Sequence, residues 1–232
     1  MYKKKKILAI VPARKGSKGV KNKNLKKING FSLIAYACKL LSEISHVDLI
    51  MISTDSDRMG KEGISNGADY FLKRPKRLAG DRVGDYDVLK HALTKAEKEK
   101  NTKFDIVLMI QPTCPLRKKN HVISTYKKLI DENLDSVWTI SKIDLKFHPY
   151  KLLKISKNKL FFLSRVGKDI VARQQLNDLY YRNGAAYAFS RDCIMKQKKI
   201  LGKDSGSILI EEELINIDTK NDILKINKII RR

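Results

Sequence analysis

ILAIVPARKGSKGVKNKNL, residues 7–25, decides the fold of this chain. Its first part, Ile7 to Val11, is an unbroken apolar run, and the rest is crowded with Gly, Ser, Lys, Arg and Asn. That is a buried strand delivering a flexible cationic loop at its C-terminal end. Open α/β sheets bind their ligands at that edge. Gly16 and Gly19 let backbone N–H groups come close to an anion. Arg14, Lys18 and Lys23 can balance its charge, Arg14 with a planar fork of donors. The loop matches neither familiar glycine fingerprint: Gly16 and Gly19 are too close for G-x-x-x-x-G-K-[ST], and G-x-G-x-x-G is absent.

Outward from this stretch, apolar runs alternate with amphipathic ones. Helical spacing predicts helices over 32–44, 57–66, 84–99 and 119–132. Strands are expected at 6–12, 47–53, 69–72, 104–111 and 136–141, the fourth with nearly continuous apolar residues. The alternation implies an α/β fold: three layers, with helices on both faces of a mostly parallel sheet. From 142 to 182 the rhythm changes. Two short strands, 151–156 and 159–163, read as a hairpin around Lys157-Asn158, and the remainder is basic and irregular. This is an expected insertion in a single domain spanning 1–232. A strand at 185–190, a short helix, a strand near 207–210 and a helix at 220–230 return to the main body.

Composition narrows the function classes. The 232 residues are ample for one large core, and no segment approaches the ~18 consecutive apolar residues of a membrane span. The apolar stretch after Lys3–Lys6 is short and runs into Arg14-Lys15, so a strand is expected there rather than a signal peptide. Three widely separated cysteines give no disulfide framework and no metal spacing, which fits a reducing, cytoplasmic setting. The net charge of +24 invites a nucleic-acid reading. Yet the lysines are spread along the chain in company with Ile and Asn, as A+T-rich codons favour, and no nucleic-acid motif stands out. No specific nucleic-acid partner is expected beyond weak, salt-sensitive association.

Several strand ends finish in polar residues at one sheet edge: Arg14 to Asn24, Ser53-Thr54-Asp55, and Gln111-Pro112-Thr113. In order along the chain stand A-R-x-G-S-K-G at 13–19, then Lys23-Asn24; S-T-D at 53–55; R-P-x-x-L-A at 74–79; and Q-P-T-x-P-L-R at 111–117. H-P-x-K at 148–151, R-Q-x-L at 173–176, N-G-A-x-Y at 183–187 and I-D-T at 217–219 complete the set. Each motif is short, but the shared order resembles the acylneuraminate cytidylyltransferases, the CMP-sialic acid synthetase family, essentially end to end.

The resemblance implies a nucleotide-diphospho-sugar transferase-like fold and a reaction in which the anomeric hydroxyl of a nine-carbon keto-acid sugar attacks the α-phosphate of CTP. In-line attack on a polyanion requires charge neutralisation and positioning more than covalent chemistry. Residues at matching positions would divide the work. Arg14, Lys18 and Lys23 would hold phosphates, with Ser17 in the same loop. Asn24, Arg74 and Gln111 would contact nucleotide or sugar, and the backbone around Pro12-Ala13 would read the cytosine edge. Lys151 and Arg173 would meet the sugar carboxylate, and Tyr187 would line its pocket. The 142–182 segment would act as a dimerisation arm, sharing the sugar pocket across a homodimer.

The chain departs from the family where members carry D-x-D for Mg²⁺: here the residues are Asn216-Ile217-Asp218. Asp218 and Asn216 are the expected metal ligands. The alternative is that Thr219 and Asp222 form a capping box at a helix start. Ser53-Thr54-Asp55 could likewise cap the following helix. Asp55 and Asp85 are left without a role, and Cys114 stands where many members have Ser. Enzymes for 3-deoxy-manno-octulosonate usually carry Arg-Leu-Pro after the first-loop Ser. Lys18-Gly19-Val20 and Lys23-Asn24 favour the nine-carbon branch, while leaving open which sugar is taken. A transferase for another acidic keto-sugar, or a nucleic-acid-binding protein on this fold, is the alternative reading.

Overall fold

The computed structural model describes residues 1–17 and 19–230. In chain order they form β1 (Ile7–Pro12), β2 (Lys27–Ile28), β3 (Phe31–Ser32), α1 (Leu33–Ser42), β4 (Leu49–Thr54), α2 (Asp57–Ile64), β5 (Tyr70–Lys73), α3 (Asp85–Glu99), β6 (Ile106–Met109) and α4 (Lys119–Asp131). Then follow β7 (Ser136–Lys142), β8 (Leu153–Ser156), β9 (Lys159–Phe162), β10 (Tyr180–Ser190), α5 (Arg191–Met195), β11 (Ser205–Leu209) and α6 (Lys220–Ile230).

Seven strands make one sheet in the order β11-β7-β10-β6-β1-β4-β5. Neighbours are parallel except around β10, which is antiparallel to both β6 and β7. β1 shows why the sheet is buried on both faces. Successive side chains of a strand point to opposite sides. Ile7, Ala9 and Val11 join Ile34 and Leu41 of α1 and Tyr126 of α4 on one side. Leu8 and Ile10 join Leu89 and Leu93 of α3 and Ile194 of α5 on the other. All five residues of the run are fully buried.

Two details differ from the sequence reading. The strand expected at 185–190 begins earlier, at Tyr180, and passes through a bulge where its register against β7 shifts between Arg182 and Tyr187. Gly184, with φ +75°, supplies the left-handed residue inside it. A polar Asn-Gly pair resembles a turn, and here it re-aims a strand at the sheet edge. The short hairpin of β2 and β3 around Asn29-Gly30 was not anticipated. Between β7 and β10, β8 and β9 pair only with each other as a separate two-stranded sheet. Lys157 and Asn158 both take positive φ at its turn, as a two-residue hairpin requires. Among the described residues no helix is long and apolar enough to cross a membrane.

Candidate active site

The C-terminal ends of β1, β5 and β6 and the bulge of β10 open onto one cleft of about 720 Å³. Arg14, Ser17, Lys23, Asn24, Arg74 and Gln111 line it, as do Tyr187, Asn216 and Asp218. Side chains distant in sequence are brought together by direct ties between strand ends. The Ala13 N–H donates to the Ser53 carbonyl (3.0 Å), and the Lys15 N–H donates to Asp55 Oδ1 (2.8 Å). Asn24 Nδ2 donates to the Arg14 carbonyl (3.2 Å), which folds the loop back on itself. The Ile217 N–H donates to the Thr113 carbonyl (2.9 Å), bringing the 216–218 segment to the end of β6. A Cβ at Gly19 would lie 2.2 Å from the Asp218 carbonyl oxygen, so only glycine lets the loop close against that segment.

The Ser-Thr-Asp segment is scaffold, not a cap. Ser56 caps α2, accepting from the Met59 N–H (3.4 Å). Ser53 instead holds Arg74, which donates from Nε to Ser53 Oγ (3.2 Å) and from Nη2 to the Ser53 carbonyl (2.7 Å). Arg74 is 5% exposed, and burial draws its guanidinium down to about 10. Asp55, which had no role in the sequence reading, anchors the backbone of the loop after β1.

Three cation–carboxylate pairs border the cleft. Arg14 Nη1 meets Asp81 Oδ1, Lys23 Nζ lies 2.7 Å from Asp218 Oδ1, and Arg182 Nη1 lies 3.5 Å from Asp85 Oδ2. Sequence reasoning missed Arg182. The signal for Arg182 is its place directly before Asn183-Gly184. Asp85, left open before, pairs with it at the first turn of α3.

Other expected residues are placed as follows. Tyr187 is buried with its edge on Trp138, ring centroids 5.6 Å apart, and its hydroxyl accepts from the Gly184 N–H (3.0 Å). It therefore offers the cleft its ring more than its hydroxyl. Ala13 is fully buried and does not line the cleft. Its N–H is spent on Ser53, and Pro12, which lines the cleft, has none, so this stretch of backbone offers a base edge carbonyl acceptors rather than donors. Lys151 and Arg173 are exposed on the arm and do not line this cleft. Lys18 lies outside the described residues.

Asn216 and Asp218 differ from each other. Asn216 Nδ2 donates to the Asn183 carbonyl (2.7 Å), which leaves Oδ1 buried without a partner. Asp218 is largely exposed and paired with Lys23. The capping box is present: Asp222 Oδ2 accepts from the Thr219 N–H (2.7 Å), and Thr219 Oγ1 accepts from the Asp222 N–H (3.3 Å). No group of three or more His, Cys, Asp or Glu that could hold a metal occurs among the described residues. One carboxylate and one unpaired amide oxygen still suit a hard cation held chiefly by phosphates.

Comparison with known proteins gives a consistent picture. The model of the family described as "Cytidylyltransferase" matches residues 8–216. The chain is 31% identical over 218 residues to a CMP-N,N'-diacetyllegionaminic acid synthase of Campylobacter jejuni, covering 93% of this chain and 91% of that protein. It is 29% identical over 227 residues to post-translational flagellin modification protein B of Campylobacter coli, covering 97% and 95% respectively. Among solved structures, CMP:2-keto-3-deoxy-manno-octonic acid synthetase complexed with CTP shares the fold. Its TM-score is 0.73 at 17% identity, covering 97% of this chain and 98% of that one.

Proposed function

Because the chain belongs to the cytidylyltransferase family, we propose that it transfers CMP from CTP to the anomeric hydroxyl of a nonulosonic acid, N-acetylneuraminate or a related sugar, and releases pyrophosphate. One observation carries this reading: Arg14 and Lys23, from the loop after β1, and Arg74, from the end of β5, converge on a cleft that Tyr187, Gly184 and Asn216 also line. A polyanion on one side and a sugar on the other fill such a cleft. The sugar oxygen bonds to the α-phosphorus, the bond from that phosphorus to the bridging oxygen breaks, and the electron pair leaves with pyrophosphate. The hydroxyl proton passes to solvent.

Arg14 and Lys23 hold the triphosphate by exchanging their carboxylate partners for phosphate oxygens, with Lys18 joining them by its place in the motif. Arg74, fixed by Ser53, and Asn24 and Gln111 orient the nucleotide. Asp218 and the Asn216 amide oxygen would hold Mg²⁺, which when bound supplies further neutralisation of the phosphates.

The arm is the proposed dimer contact. Ile155, Leu160 and Val171 are 75%, 67% and 90% exposed, more apolar surface than one chain accounts for. Lys151 and Arg173, on the same arm, would reach the sugar carboxylate in the partner's cleft. The setting is cytoplasmic, in keeping with three buried free cysteines.

The test is pyrophosphate release with CTP, Mg²⁺ and a panel of nonulosonic acids, with 3-deoxy-manno-octulosonate alongside. Release with a nine-carbon acid is expected. Silence across the panel overturns the reading, and release with the octulosonate alone moves the chain to the sister activity.

A further inference from the structure

A second pocket, of about 340 Å³, lies behind the Gln111–Arg117 loop, away from the proposed reaction. Phe31 and Tyr36 form an aromatic wall, edge to face with centroids 6.0 Å apart. Lys39 holds its ammonium 3.9 Å from the centre of the Phe31 ring. Lys118, Lys119 and one carboxylate, Glu43, line it as well; Lys118 is tied to exposed Glu212 at 2.7 Å and Lys119 to exposed Glu43 at 2.8 Å, so the lining keeps an excess of cations. Exposed pairs of this kind exchange partners at little cost.

Arg117 makes this more than a basic surface dent. It lines the pocket yet is only 6% exposed, and it takes part in none of the ion pairs among the described residues. One amine, Nη2, donates to the carbonyls of Gln111 and Gly184 (3.4 Å for the latter). Its Nε is buried with no partner. A buried guanidinium with an unmet donor and no carboxylate calls for an anion.

We propose that this pocket is a second ligand site for a nucleoside monophosphate, its base against Phe31 and Tyr36 and its phosphate among Arg117, Lys118 and Lys39. Size, aromatic lining and cation excess each fit that class, and inorganic phosphate alone would forgo the ring contacts.

CMP is the probe. Equilibrium dialysis of the full chain counts CMP bound per chain, while fluorescence of Trp138, the only tryptophan and in contact with Tyr187, reports the main cleft. The expected result is a CMP molecule that survives Arg14→Ala and is lost in Lys39→Glu and in Tyr36→Ala, with circular dichroism unchanged. Inorganic phosphate should bind there about tenfold more weakly or worse, the loss expected for one stacked base. If Lys39→Glu and Tyr36→Ala leave the bound count unchanged, the site does not exist. Phosphate binding as tightly as CMP would also overturn the nucleotide assignment. Loss of the Arg14-dependent molecule alone bears on the proposed transferase reaction and leaves this site intact.

Discussion

The loop after β1 and the arm between β7 and β10 are both rich in cations, and they hold them in opposite ways. Around the loop three cations that line the cleft are tethered inside the chain: Arg14 to Asp81, Lys23 to Asp218, Arg74 to Ser53. On the arm Lys151 and Arg173 are exposed, among apolar side chains that face solvent. The first region is preorganised, so little side-chain freedom remains to be lost when a polyanion arrives. The second has reach but no fixed address within its own chain. On the proposed reading, the nucleotide half of the site lies within one copy and the sugar half draws on another.

The sharpest way to break this contrast is to remove a tethered cation. Arg14→Ala should lower kcat/KM for CTP by about 100- to 1000-fold, the usual cost of losing one preorganised donor at a reacting phosphate or oxyanion. The thermal midpoint should barely move, because Arg14 is partly exposed. A loss below about tenfold would take Arg14 out of the phosphate site.

The arm gives a smaller and different signature. Arg173→Ala should raise KM for the sugar and leave that for CTP alone, with a loss of roughly tenfold, as for one charge-assisted hydrogen bond. Mixing is the stronger test. In an equal mixture of Arg14→Ala and Arg173→Ala chains, exchange of subunits creates clefts that carry both arginines. Activity should recover to about a quarter of wild type, the statistical share for a two-fold dimer. No recovery would mean that the arm serves its own cleft. Ile155→Asp, by placing charge on the exposed hairpin, should shift sedimentation from dimer to monomer.

The same contrast explains what could be read from sequence. The continuous apolar runs at 7–11 and 106–109 leave no choice but buried strands, and Arg14, Arg74 and Gln111 follow because they stand at strand ends. Pairing partners were not legible. Nothing about Asp81 in sequence says that it meets Arg14, since that depends on how the 74–85 loop turns back over the sheet. The early start of β10 at Tyr180 was not legible, because Asn183-Gly184 suits a bulge and a turn equally. Asn216-Ile217-Asp218 was legible only as alternatives. The structure shows the capping box formed and Asp218 still at the cleft, so the two readings are compatible. Arg117 stands inside the motif at 111–117, but its burial without a carboxylate is a tertiary fact.

A smaller effect is expected from the anchor of Asp218. Asp222 accepts from the N–H groups of both Asp218 (3.0 Å) and Thr219, so it starts α6 and positions the cleft residue together. Asp222→Ala should cost about 1 kcal/mol of stability, a fall of roughly 2–4 °C in Tm for a chain of this size. Catalysis should weaken along with it. An unchanged midpoint in calorimetry would show that the box contributes nothing in solution.

The smallest effect concerns the scaffold beneath the tethered half. His121 opens α4 just after the Gln111–Arg117 loop, and its Nδ1 accepts from the Lys118 N–H (3.2 Å), which only a neutral imidazole can do. Burial holds its pKa below the ordinary 6.5, against the opposing pull of Glu212. The sign follows from linkage. Where the folded value is depressed, the unfolded chain takes up the proton first, so stability is full above about pH 6.5 and declines as pH falls through the folded value. Urea midpoints measured from pH 7.5 downward should therefore drop before the carboxylates titrate, and His121→Gln should flatten part of that slope. His91, also held down chiefly by burial, would carry the remainder. If His121→Gln leaves the slope unchanged, the imidazole is not the acceptor that begins α4, and the cleft above it owes its order to the sheet alone.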